Sequence, residues 1–177
     1  MRNILSLLFI FFSISSWAEE VARVVSVSGD AKIGDKPVKA GDSLTAGSIV
    51  KTGADSSVKL FLADKSVVDL GSQTSFVVES SVPDVGSSTK LNYGMVRSAI
   101  RKKLEKKIKF QMRTQTSVLA VRGTEFIVNS QPTSTGGQKE QVTVTDGQVA
   151  AGIGDAAPRL LNPGQQFEVA GQLVGGT

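Results

Sequence analysis

Two Ser-x-x-Lys spacings carry the most specific chemistry the sequence offers, Ser56 to Lys59 and Ser87 to Lys90. A serine–lysine hydrolase needs this spacing at the start of a helix, where one turn lays the amine against the hydroxyl. Ser56 opens a stretch with strand alternation and Ser87 follows turn residues, so both matches read as chance, and the partner motifs of that chemistry are missing. Arg122-Gly123-Thr124-Glu125 offers a guanidinium and a carboxylate that could read a carboxylate or phosphate ligand. The structural reading is preferred: Gly123 permits a turn or bulge, Arg122 and Glu125 pair with neighbours, and the run, with Phe126, fixes a strand crossing. Asp30, Asp35, Asp42, Asp55, Asp64 and Asp69 are spaced as turn residues, not as an alternating calcium loop.

The surface feature with an obvious class of partner is a block of cations. Arg97, Arg101, Lys102, Lys103, Lys106, Lys107, Lys109 and Arg113 face a single acid, Glu105, between positions 97 and 113, a local charge of +7. The first seven are candidates for binding an anionic lipid headgroup, an acidic glycan or an acidic protein face. The same residues also suit a solvated arm whose lysine stems cover Ile100, Leu104 and Ile108.

Histidine and cysteine are both absent. No Ser-His-Asp or Cys-His system can be built, no zinc or iron–sulfur site has its usual ligands, and no disulfide can form. No cofactor and no metal are expected, and the chain is not expected to be an enzyme; a hydrolase is the least favoured alternative.

The elements that must position these residues read as β-strands. Short β-branched runs recur every eight to twelve residues between Gly and Asp punctuation. Val21–Val27, Ser48–Lys51, Ser56–Leu62, Ser66–Leu70, Ser75–Val78, Phe126–Val128, Gln141–Thr145 and Gln166–Ala170 are expected strands. Asp64-Lys65 should turn a hairpin, Glu79–Ser88 should be a loop, and Asp146-Gly147 should close a two-residue hairpin between VTVT and QVAA. Val96 to Phe110 is the exception: Val96, Ile100, Leu104 and Ile108 recur at i+4, predicting a basic amphipathic helix, with a charged hairpin arm as the alternative. Lys39-Ala-Gly-Asp-Ser-Leu faintly echoes Leu161-Asn-Pro-Gly-Gln-Gln, each leading into a strand.

The N-terminus reads as an export signal. Arg2 precedes an apolar run from Ile4 to Phe12, then a small polar stretch with Ser16 and Ala18 where a signal peptidase cuts. The run is about half the ~20 residues a membrane-spanning helix needs. Residues 1–18 are therefore expected to be removed and residues 19–177 to form one domain. The formal charge then falls from +4 to +3, too small and too segregated for general nucleic-acid binding. Export without cysteine suits a bacterial envelope, the periplasm first, with secretion or the outer surface as alternatives.

In order along the chain, Val25-x-Val27-x-x-Gly29, Gly41-Asp42-x-Leu44, Ile49-x-Lys51-Thr52-Gly53 and Leu60-x-Leu62-x-Asp64-x-Ser66 lead to Gly94-x-Val96-Arg97. The segment Thr114 to Phe126, ending Val121-Arg122-Gly123-Thr124-Glu125-Phe126, then precedes Gly147-x-Val149 and Leu161-x-x-Gly164-Gln165. This succession resembles the FecR domain family of bacterial envelope proteins across nearly all of residues 19–177. The best-known members are inner-membrane regulators that receive a signal from an outer-membrane iron transporter and control a sigma factor. Here a cleavable signal is expected in place of the cytoplasmic segment and membrane helix, so the resemblance is taken to imply the domain and its compartment but not that regulatory role. The expectation is an all-β domain, a single β-sandwich or short solenoid-like unit. It should act as an exported, non-enzymatic binding or scaffolding module for a protein or an anionic envelope component. The alternative is a periplasmic signalling component that docks to a membrane sensor or transporter.

Overall fold

Period-two burial runs through the chain. From Ser57 to Leu62, Val58, Leu60 and Leu62 are buried while Ser57 and Phe61 face outward and Lys59 is half-buried, the pattern of a strand with one face on a core. The computed structural model describes residues 19–101, 109–154 and 156–172, and among these every regular element is a strand. The predicted export signal and Lys102, Lys103, Lys106 and Lys107 lie outside the described residues, as does the side chain of Lys109.

Sixteen strands follow in order. They are β1 (Glu20–Ser28), β2 (Ala31–Ile33), β3 (Lys36–Pro37), β4 (Ser43–Thr45), β5 (Ser48–Thr52) and β6 (Ser57–Leu62). Then come β7 (Val67–Leu70), β8 (Ser75–Val82), β9 (Gly86–Ala99), β10 (Lys109–Arg113) and β11 (Val118–Val121). The last are β12 (Glu125–Pro132), β13 (Gly137–Asp146), β14 (Val149–Gly152), β15 (Arg159–Leu161) and β16 (Gln166–Gln172).

All sixteen join one hydrogen-bonded network, and β9 belongs to both of its halves. Its last part, Gly94–Ala99, pairs with β7 and β12 in a first limb ordered β4-β1-β6-β7-β9-β12-β13-β16. Its first part pairs with β8 and, in parallel, with β10 in a second limb ordered β3-β2-β5-β8-β9-β10-β11-β14-β15. The limbs share one core. Phe110 of the second meets Phe126 of the first edge to face, with ring centroids 6.2 Å apart, and both are essentially fully buried. Each such ring stabilises the fold by roughly 1.5–3 kcal/mol through burial.

A single device turns the chain between limbs at three corners. The Ser56 hydroxyl accepts from Asp30 N at 2.9 Å and donates to the carbonyl of Ala54 at 2.8 Å. Thr74 Oγ1 accepts from Met95 N at 3.0 Å and donates to the carbonyl of Ser72 at 3.1 Å. Thr124 Oγ1 accepts from Gln148 N at 3.2 Å, donates to Gln148 O at 2.8 Å, and lies 3.3 Å from Arg122 O. Two of the glycines beside these hydroxyls, Gly94 (φ 105°) and Gly147 (φ 78°), have left-handed backbones. A Cβ on Gly94 would penetrate the Thr74 backbone, and one on Gly147 would stand 2.5 Å from Gly123 O, so only glycine fits.

The faint echo between the two ends is a repeated structure. Gly41 N donates to Val24 O (2.9 Å) while Val24 N donates to Asp42 O (2.8 Å); Gly164 N donates to Val144 O (2.9 Å) while Val144 N donates to Gln165 O (3.2 Å). The Asp42 carboxylate accepts from Lys39 N and the Gln165 amide oxygen from Asn162 N, each at 2.8 Å. These matched turns deliver the two edge strands of the first limb, β4 and β16.

Three expectations need correction. Val96–Ala99 and Lys109–Phe110 are strand, so the predicted helix is wrong at both ends: Val96 and Ser98 are buried while Arg97 is exposed, a period of two. Its central residues lie outside the described residues. Asp146-Gly147 closes no hairpin, because β13 pairs with β12 and β16 while β14 pairs with β11 and β15; it is a corner between limbs. The loop expected over 79–88 shrinks to Pro83-Asp84-Val85, since β8 runs on to Val82 and β9 begins at Gly86. The Asp64-Lys65 hairpin is present, joining the antiparallel β6 and β7.

Candidate functional site

Neither Ser-x-x-Lys match is assembled. Ser56 is buried and its hydroxyl is committed to backbone at the corner, while Lys59 pairs with Asp69 at 2.9 Å. Ser87 faces inward and donates to Ser81 Oγ at 2.7 Å, whereas Lys90 faces out. Residues three apart in a strand lie on opposite faces, which keeps amine from hydroxyl in β9.

Arg122-Gly123-Thr124-Glu125 occupies the crossing from β11 to β12. Its Glu125 pairs not with Arg122 but with Arg97, at 3.3 Å, and Arg122 is exposed. Arg97 also stands in register with Asp69, so Lys59, Asp69, Arg97 and Glu125 form a charge ladder on the outer face of the first limb. Arg101 is exposed just beyond β9. At the described ends of the basic block, Arg97 thus pairs with Glu125 and Arg113 with Glu79. Among the described residues no group of acidic side chains is arranged to hold a metal ion.

Two clusters escaped the sequence. Glu140 on β13 is fully buried, and its carboxylate accepts hydrogen bonds from Thr114, Thr116 and Ser117 in the turn between β10 and β11. Three hydroxyls satisfy the buried carboxyl group, latching the second limb's turn to the first limb. The Thr-Gln-Thr-Ser run opens the segment that carried the family resemblance, but nothing in it named an acid 23 to 26 positions away. Glu79 on β8 is the second: Arg113 Nη2 lies 2.5 Å away and Ser88 Oγ 2.7 Å. Partial burial raises its pKa, but hydrogen bonds from Arg113 and Ser88 and the charges of Arg113 and Lys90 outweigh that and hold it below the ordinary value.

Charge divides between the limbs. Strands of the second limb carry Lys32, Lys36, Lys51, Lys90, Lys109, Arg113 and Arg159 against one acid, Glu79. Strands of the first carry Arg23, Lys59, Arg97 and Lys139 against Glu20, Asp69, Glu125, Glu140, Asp146 and Glu168. Edges differ as well: β4, β15 and β3 are three, three and two residues long, whereas β16 has seven and, among the described residues, pairs with β13 alone. Among the described residues no helix is long and apolar enough to cross a membrane.

Two crystal structures of a protein from Parabacteroides distasonis assigned as an anti-sigma factor superpose on this chain, each with a TM-score of 0.55. They are 15% and 16% identical to it, and the alignment covers 71% of this chain and 60% of theirs. At that identity the likeness is one of fold, and this chain spans about 60% of those proteins. No curated protein matches it. The family model described as FecR protein matches residues 48–150, more than half of the sequence, and the segments that suggested the resemblance from Ile49 to Val149 all fall inside it. The chain belongs to the FecR family.

Proposed function

We propose that this chain is an exported, non-enzymatic binding module of the bacterial envelope that serves a signalling path by docking to a membrane-protein partner. FecR membership and the fold shared with a protein assigned as an anti-sigma factor support a signalling role. The sequence of residues 1–18 supports export. The observation that carries the docking mode is β16. Among the described residues this seven-residue strand is paired on one side only, and its other side offers a partner strand a row of main-chain hydrogen bonds. Its exposed Gln166, Glu168 and Ala170 are polar or small, so the edge resists indiscriminate pairing while accepting an extended segment.

A photo-crosslinking amino acid placed at Ala170 in cells tests this. The expected result is one discrete adduct with a membrane protein, absent when the same group replaces Ser43 on the short edge β4. Equal adducts from both positions, or none from Ala170, would remove β16 as the docking edge.

A further inference from the structure

The outer face of the second limb carries a combination that the first limb lacks. Lys32 on β2 stands directly opposite Lys51 on β5, and Lys90 on β9 stands in register with Arg113 on β10. Like charges placed opposite one another in a sheet are destabilising. Among the described residues neither Lys32 nor Lys51 makes an ion pair, and Glu79 partners only the Arg113 end. On the first limb Arg23, Lys59 and Arg97 each pair with an acid, Glu20, Asp69 and Glu125, and among the described residues no two cations stand directly opposite one another there.

Exposed aliphatic side chains share this face with the cations. Pairing through β5, β8, β9, β10 and β11 puts Ile49, Val77, Lys90, Arg113 and Val118 in one row. The neighbouring row ends in Ala120, Ala150 and Leu160. Ile49 is 41% exposed, Val118 39% and Leu160 54%.

We propose that this face docks onto an anionic phospholipid bilayer. From Lys32 to Arg113 the cations spread over five neighbouring strands, about 19 Å at the usual strand spacing, without converging on one point. That spread matches a surface of repeated headgroup charge and not a single small anion. A hydrated acidic glycan or peptide would satisfy the cations but leave Ile49, Val118 and Leu160 in water, whereas a bilayer interface accommodates both. The surface lies on the opposite limb from β16, so it stands or falls independently of the docking edge proposed above.

The test uses the chain from Glu19 onward, which contains every described strand, sedimented with phosphatidylcholine vesicles with and without phosphatidylglycerol. Partitioning should require phosphatidylglycerol and weaken with salt. In the triple variant K32Q/K51Q/K90Q it should fall about fivefold per cation, on the order of a hundredfold in all. The thermal midpoint should hold or rise, since all three side chains are exposed. In I49S/L160S the partitioning left at high salt should disappear. Equal binding to neutral vesicles, or undiminished binding by the triple variant, would overturn the proposal. So would a loss seen only with K102Q/K103Q/K106Q/K107Q, or retention on polyglutamate without retention on vesicles.

Discussion

At the scale of single residues, the chain places two carboxylates where their environment matters most, and each makes a measurable prediction. Removing the buried Glu140 carboxylate leaves the hydroxyls of Thr114, Thr116 and Ser117 without their shared acceptor. E140A should lose on the order of 3 kcal/mol or more in urea unfolding, with E140Q between it and the natural chain. Glu79 makes a contribution that depends on pH. Its folded pKa lies below its ordinary value near 4.5, so its contribution is fully present above the unfolded pKa and is lost as pH falls through the folded one. The stability gap between the natural chain and E79Q should be constant near neutrality and close progressively below about pH 4.5; a gap unchanged down to strongly acid pH would contradict the assignment. Sequence reading reached neither residue. The partners of Glu140 are 23 to 26 positions away and Arg113 is 34 from Glu79, so only the fold reveals them. The partner of Arg97 was hidden for the same reason: Glu125 is 28 positions away and comes beside it only because β9 pairs with β12.

At the scale of elements, the corners decide the fold. A methyl group at Gly94 or Gly147 faces both a left-handed backbone and a neighbouring main chain that cannot give way. G94A and G147A should each lose about 2 kcal/mol or more and lower the thermal midpoint by several degrees, whereas G41A, with open space at its Cβ, should lose less. Strand period was legible because one face of nearly every strand is buried, and the Asp64-Lys65 hairpin followed from it. Asp146-Gly147 was misassigned because the same dipeptide that reverses a chain in a hairpin also supplies the positive φ of a corner. Local sequence does not say whether the next strand will pair or change limbs. The helix expected over 96–110 is strand at its described ends through a related ambiguity: Val96, Ile100, Leu104 and Ile108 fit i+4 spacing, but Val96, Ser98 and Ile100 also alternate, and packing of β9 between β7 and β12 selects the strand at the first end.

For the whole molecule, the family match and the folding unit have different boundaries. Residues 48–150 contain β5 to the start of β14, yet β1 lies inside the first limb between β4 and β6, and β16 pairs with seven of the ten residues of β13. Cutting at 48 uncovers the β6 edge and removes Val21, Ala22, Val24 and Leu44 from the core; cutting at 150 removes Ala151, Leu161 and Phe167. Each full aliphatic or aromatic burial contributes roughly 1.5–3 kcal/mol, so the losses together rival the ~5–15 kcal/mol by which a domain is stable. A fragment of residues 48–150 should therefore be unfolded or aggregated, with weak near-ultraviolet dichroism and rapid proteolysis. Residues 19–172 should unfold in one cooperative transition. A cooperative transition in the shorter fragment would show that the flanking strands decorate the core instead of completing it.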